Sequence, residues 1–171
     1  MVPRLRTALA GRSDYAEDHE PWALALGVVH FLVRALEDSG EYNRFPELLG
    51  RWQEMVDGGF STWAEDITYW RSLCHAWSAF PLIEFLRGVL GVKPDAPGFA
   101  RILIQPNTAG RSSARGFVPT PHGPVHVSWT AGADGFRLSV QTPVEIPVRI
   151  ILPDGTEHSP ENRNAELSCE L

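Results

Sequence analysis

Glu65, Asp66 and His75 lie close together in the chain, interleaved with Phe60, Trp63, Tyr69, Trp70 and Trp77. A carboxylate among aromatic side chains can take a proton from water, and partial burial there would raise its pKa. Arg71, a nearby cation, would oppose that rise. Histidine can hydrogen-bond a hydroxyl through either ring nitrogen. Tryptophan supplies a flat apolar face, in a core or against a ligand such as a sugar ring. Glu65 and Asp66 are adjacent, so their side chains diverge, and the two do not make an acid–base pair between them. Cys74 beside His75 raises the question of a metal or a catalytic thiol. Zinc wants three or four ligands at recognisable spacings, and the sequence has no second Cys/His cluster. A buried, inert thiol is expected at Cys74, with no metal and no cofactor.

The composition narrows the setting. Of 171 residues, 43% are hydrophobic and 21% charged, which fits a folded chain able to bury a core. A formal net charge of -6 argues against a nucleic acid or an anionic membrane as partner, since either calls for a basic face. Two cysteines, Cys74 and Cys169, are too few for a disulfide framework. No apolar run approaches the roughly 20 residues that span a bilayer. Arg4 and Arg6 precede no apolar core, so no signal peptide is read.

Helices must position the cluster from its N-terminal side. Residues 1–19 lack periodicity and read as a loop. A first helix is predicted from Pro21, with Trp22, Leu26, Val29, Val33 and Leu36 at helical spacing and Ser39-Gly40 as the stop. A second is predicted over 43–56, where Phe45, Leu48, Leu49, Trp52, Met55 and Val56 make one apolar stripe. The short connection between them implies an antiparallel hairpin. Asp57-Gly58-Gly59 breaks the second helix, and 60–74 reads as a long loop of the kind that carries function. A third helix is expected over 76–90, with Pro81 in its first turn, Gly91 as its stop, and Phe80, Ile83, Leu86, Val89 and Leu90 buried. Trp77 is assigned to the core and Glu84 to a polar face.

The run from Gly91 to Gly98, with Pro94 and Pro97, reads as a linker, and the composition changes after it. Strands are predicted over 100–105, 114–118, 125–130, 136–141 and 148–152, with a last one over 165–169. Gly132 to Gly135 should turn one hairpin and Pro153-Asp154-Gly155-Thr156 another. The fold class is therefore α+β: helical hairpins, then a small antiparallel β-sandwich. No internal repeat stands out beyond the helix pair, and His122 and His126 in the sandwich look structural.

One resemblance gathers these pieces. Ser61-Thr62-Trp63-Ala64-Glu65, Cys74-His75-Ala76-Trp77-Ser78-Ala79 with Pro81, Val89-Leu90-Gly91-Val92-Lys93-Pro94 and Ala96-Pro97-Gly98-Phe99 follow one another in order. Ile104-Gln105-Pro106 and the run from Pro119 to Trp129, with Pro121-His122-Gly123-Pro124, complete the series. In that order and spacing, residues 21–152 resemble the C-terminal end of the inverting α-L-rhamnosidases, a glycoside hydrolase family. The resemblance implies residues 1–92 as the last part of an (α/α)6 barrel and 93–171 as a C-terminal β-sandwich. It implies removal of terminal α-L-rhamnose from glycosides by a single displacement.

An inverting glycosidase uses one carboxylic acid on the leaving oxygen and one carboxylate on water, about 6.5–9.5 Å apart. The family's general base falls on Glu65 and its sugar-pocket histidine on His75; Trp63, by its residue type, is open to two readings, a platform for the sugar or a filler of the barrel interior. The general acid lies on earlier barrel helices, and nothing in this chain matches it. The resemblance thus implies a piece that is inactive alone, with a rhamnose-containing glycoside as ligand and self-association through barrel faces that lack neighbours. Two other readings remain open: a non-catalytic carbohydrate-binding or interaction module, and a related inverting enzyme of another specificity.

Overall fold

Two helix endings shape the N-terminal half. The computed structural model describes residues 26–66, 72–143 and 146–171. After a 3-10 turn at Leu26–Val28, helix α1 (Val29–Asp38) buries Leu26, Val29, Val33 and Leu36, as their spacing predicted. Gly40 N–H donates to Glu37 O and Glu41 N–H to Leu36 O, the pair of bonds that closes a Schellman motif. Pro21 and Trp22 lie outside the described residues.

The second helix departs from expectation. Its first part, Tyr42–Leu48, winds as a 3-10 segment with Pro46 inside it, and only Gly50–Asp57 (α2) is α-helical. Proline has no N–H to donate and its ring collides with the carbonyl four residues back, so a uniform α-helix through it is disfavoured. The phase of the apolar stripe shifts in consequence. Phe45, Leu48, Trp52 and Met55 are buried, whereas Val56 is exposed.

The third helical stretch has the expected extent but three windings. A 3-10 turn at Ala76–Ala79 leads into α3 (Phe80–Glu84), which continues as a π turn over Phe85–Val89. About 3.0 residues per turn in a 3-10 segment, against 3.6 in an α-helix, rotates everything downstream. This corrects two expectations: Ile83 is exposed rather than buried, and Glu84 is fully buried rather than on a polar face.

The chain divides by its own packing into two units, Met1–Leu82 and Ile83–Leu171. The second unit holds eight described strands in two sheets: β1 (Val92–Pro94), β2 (Ile102–Ile104), β6 (Val148–Ile151) and β7 (Glu157–His158) form one. Strands β3 (Ser113–Thr120), β4 (Gly123–Gly132), β5 (Gly135–Gln141) and β8 (Asn164–Cys169) form the other. Inward side chains of both sheets, among them Ile102, Ile104, Ile150, Val127, Leu138 and Val140, share one core, so the sheets face each other. Burying each such side chain stabilises the fold by roughly 1.5–3 kcal/mol.

Two features of this unit correct the sequence reading. The expected linker contains β1, which pairs antiparallel with β2, Val92 opposite Ile104. The sandwich is also not wholly antiparallel, because β2 and β6 run parallel. Gly91 makes the first arrangement feasible: its φ is +83°, and a Cβ there would stand 2.3 Å from the carbonyl carbon of Gln105. The predicted turns are present. Gly132 pairs with Gly135 across the β4–β5 hairpin, and Asp154 Oδ1 accepts from both the N–H and the hydroxyl of Thr156. Trp129, the largest fully buried side chain among the described residues, donates its indole N–H to Val89 O at 2.8 Å. Carbonyls at a helix end lack intrahelical partners, so this bond fastens the π turn to the sheet.

Candidate functional site

The loop that carries Glu65 begins where α2 stops. Gly59 N–H donates to Val56 O and Phe60 N–H to Met55 O, a second Schellman closure, with Gly59 at φ +73°. A side chain at that position would be strained, which explains the glycine. The chain then leaves the helix as one limb, 62–65, and returns as another, 72–75.

Three hydrogen bonds tie these limbs together. Glu65 N–H donates to Ser72 O at 3.0 Å, and His75 N–H donates to Trp63 O at 2.7 Å. The Thr62 hydroxyl donates to Leu73 O at 2.5 Å. The structure therefore brings Trp63, Glu65 and His75 onto paired limbs of one loop, although the acid and the imidazole are ten positions apart in sequence. Ala64 is fully buried and its N–H meets Met55 Sδ at 3.4 Å, while Trp63 and Glu65 on either side are half-buried. The small side chain is turned inward and its neighbours are turned out. Tyr69, Trp70 and Arg71, expected around Glu65, lie outside the described residues.

His75 is extended (φ −117°, ψ 105°) and its carbonyl accepts from Ser78 N–H, which starts the 3-10 turn. That turn is anchored from below. The Trp52 indole N–H donates to Ser78 O at 2.7 Å, and the Trp52 ring meets Phe80 edge-on with centroids 5.1 Å apart. Buried aromatic packing thus holds the backbone that presents His75.

Two expectations fail here. Trp77 is not a core residue: it is 77% exposed, with its ring edge-on to His75 at 5.9 Å. The 3-10 turn directs its side chain away from the interior, where Ser78 takes the buried position instead. Sequence reasoning put Trp77 inside because it carried an α-helical phase through this turn. Cys74 is also exposed rather than buried, since it sits on the returning limb before the turn begins. Among the described residues no three His, Cys, Asp or Glu side chains are grouped to hold a metal ion. No helix among them is long and apolar enough to cross a membrane. The paired limbs carry the Glu65 carboxylate, the His75 imidazole and the Trp63 indole, residue types suited to hydroxyl groups and water.

Residues 91–166 match the family model described as the bacterial alpha-L-rhamnosidase C-terminal domain. A 70-residue stretch is 44% identical to an α-L-rhamnosidase of Alteromonas sp. (strain LOR), covering 40% of this chain and 8% of that one. The chain resembles the C-terminal part of an α-L-rhamnosidase. The native α-L-rhamnosidase from Aspergillus terreus has the same fold over 84% of this chain and 19% of its own, with a TM-score of 0.70 and 21% identity. A family 78 rhamnosidase of Bacillus sp. GL1 matches 89% of this chain and 17% of its own, with a TM-score of 0.67 and 26% identity. The rhamnosidase family match begins at Gly91, so it covers the sandwich and not the loop of Glu65 and His75. The structural likeness to rhamnosidases extends further, into the helical unit, because it covers more of the chain than residues 91–166 contain. The chain spans only a small part of the length of each of these relatives.

Proposed function

We propose that this chain carries the general-base side of an α-L-rhamnosidase site. Glu65 takes a proton from the water that attacks the anomeric carbon of a terminal α-L-rhamnose, and inversion follows from that single displacement. His75 holds a sugar hydroxyl, and Trp63 lines the pocket. The observation that carries this reading is the pairing of the two loop limbs, which sets Glu65, His75 and Trp63 on one small platform.

In this reading residues 1–92 are the end of an (α/α)6 barrel and 93–171 its C-terminal sandwich. The proton donor comes from other barrel helices. Asp66 cannot serve, because it adjoins the base, whereas the acid must approach from the opposite face of the sugar. The chain alone therefore does not turn over a rhamnoside. The exposed Val28, Phe31, Trp77 and Leu82 are faces for further barrel helices, and without them the chain self-associates.

The test is a chimera in which this chain replaces the matching C-terminal part of the Bacillus sp. GL1 rhamnosidase. Where the parent chimera is active on an aryl α-L-rhamnoside, Glu65→Gln should lower kcat by about 10²–10⁴-fold, the range for a lost acid–base group. His75→Ala should act mainly on KM. Unchanged kcat in Glu65→Gln overturns the assignment.

A further inference from the structure

The outer face of the β3–β4–β5–β8 sheet carries a constellation that the loop chemistry does not use. Strand register aligns Phe117, His126, Gln141 and Asn164 in one row across the four strands. Arg115, Ser128, Ser139 and Glu166 form the next row. Their neighbours Val118, Val125, Val127, Val140 and Ala165 are buried in the sandwich, so both rows face solvent. Phe117 is 56% exposed in mid-strand, with the His126 ring 5.6 Å away and tilted by 42°.

A depression of about 290 Å³ opens on this face, lined by Arg115, His126, Ser128, Ser139 and Gln141. Gln141 is shared with an adjoining depression of about 590 Å³, lined also by Thr142, Asn162, Arg163 and Asn164. Four strands spaced about 4.8 Å apart make a track of roughly 14 Å, longer than one sugar ring.

We infer that this sheet face is a second carbohydrate site, one that binds a rhamnose-containing oligosaccharide without cleaving it. An exposed ring beside an imidazole offers a flat surface for the C–H face of a sugar. Gln141, Asn164 and Ser128 each both donate and accept, as neighbouring hydroxyls require. The charged side chains of the central rows, Arg115 and Glu166, are of opposite sign, and the Glu166 carboxylate accepts from the Ser139 hydroxyl at 2.5 Å. A protein partner would call for a broader apolar patch than one phenyl ring. A nucleic acid is disfavoured by the net charge of -6.

The choice of rhamnose rests on the proposed function, but the site does not involve Glu65, which belongs to the other unit. The experiment is titration of the isotopically labelled chain with a soluble rhamnose-containing oligosaccharide, followed by backbone amide shifts. Saturable shifts are expected in β3, β4 and β5. Phe117→Ala and Gln141→Ala, both at exposed positions, should each raise Kd by about tenfold with the thermal midpoint unchanged. Glu65→Gln should leave Kd as in the parent. Absence of saturable shifts in these strands, or a parental Kd in Phe117→Ala, overturns the site. Binding lost in Glu65→Gln but kept in Phe117→Ala also overturns it, and assigns the sugar to the loop instead.

Discussion

Both units bury aromatic side chains, but the helical unit leaves its exposed ones the more open, Phe31 and Trp77 against Phe117 in the sheet unit. In the sheet unit Trp129 and Phe136 are buried, and the Trp129 indole is hydrogen-bonded to Val89 O. In the helical unit Trp52 and Phe45 are buried, yet Phe31 is 70% exposed and Trp77 is 77% exposed. A sandwich whose two sheets close on one core buries most of its apolar surface, with Phe117 the exposed aromatic of its outer face among the described residues. Helical hairpins satisfy only the faces they turn to each other, so exposed aromatic faces mark where more structure or a ligand belongs. Glu65 and His75 lie in the unit that leaves more of its large apolar side chains exposed.

The sharpest way to break this contrast is Trp129→Ala. It leaves a large cavity and an unpaired Val89 carbonyl, and should cost about 3–5 kcal/mol, read as a lower urea midpoint by circular dichroism. Next in size is Gly91→Ala. A left-handed conformation for a residue with a Cβ, together with the close approach to the Gln105 carbonyl, should cost roughly 2–4 kcal/mol in the same measurement.

A smaller effect is expected at Asp95. Arg149, at 3.2 Å, and Arg101 hydrogen-bond its carboxylate and hold its pKa below the ordinary carboxylate value. A depressed folded-state pKa contributes stability above the unfolded value that is lost as pH falls through the folded one. Asp95→Asn should therefore lower the thermal midpoint at neutral pH, and the difference from the parent should vanish below the ordinary carboxylate range. A difference that persists in acid would show that packing, not charge, is at stake. The smallest stability effect belongs to Phe31→Ser and Trp77→Ser, each within about 0.5 kcal/mol of the parent, because neither side chain is buried. Their larger consequence should be reduced self-association by light scattering. Should either substitution destabilise the fold as much as Trp129→Ala, the contrast between the units fails.

Features written in local chemistry were legible in the sequence. Ser39-Gly40 and Gly58-Gly59 announced both Schellman closures, because a left-handed residue at a helix end has few alternatives to glycine. Alternation in Val125-His126-Val127-Ser128-Trp129 and in Phe136-Arg137-Leu138-Ser139-Val140 gave β4 and β5, since one face of each is buried. Strand β1 was hidden because three residues among prolines and glycines carry no alternation of their own and become a strand only by pairing with β2. The parallel pairing of β2 with β6 joins segments far apart in sequence and leaves no local mark. Trp77 and Glu84 were misplaced for a shared reason. Helical phase was carried at one constant angle through a stretch that winds successively as 3-10, α and π. The residues of the candidate site could be named from the motif, but the backbone pairing that unites them spans a loop with no periodicity to reveal it.

The central claim is that Glu65 is the base of a site whose acid comes from elsewhere. Its most direct test is the hydrolysis rate of an aryl α-L-rhamnoside by the purified chain, measured beside its Glu65→Gln variant. The account predicts no turnover above the uncatalysed rate in either. Turnover by the parent chain that disappears in Glu65→Gln would contradict it, by showing that these residues already hold both the base and its proton donor.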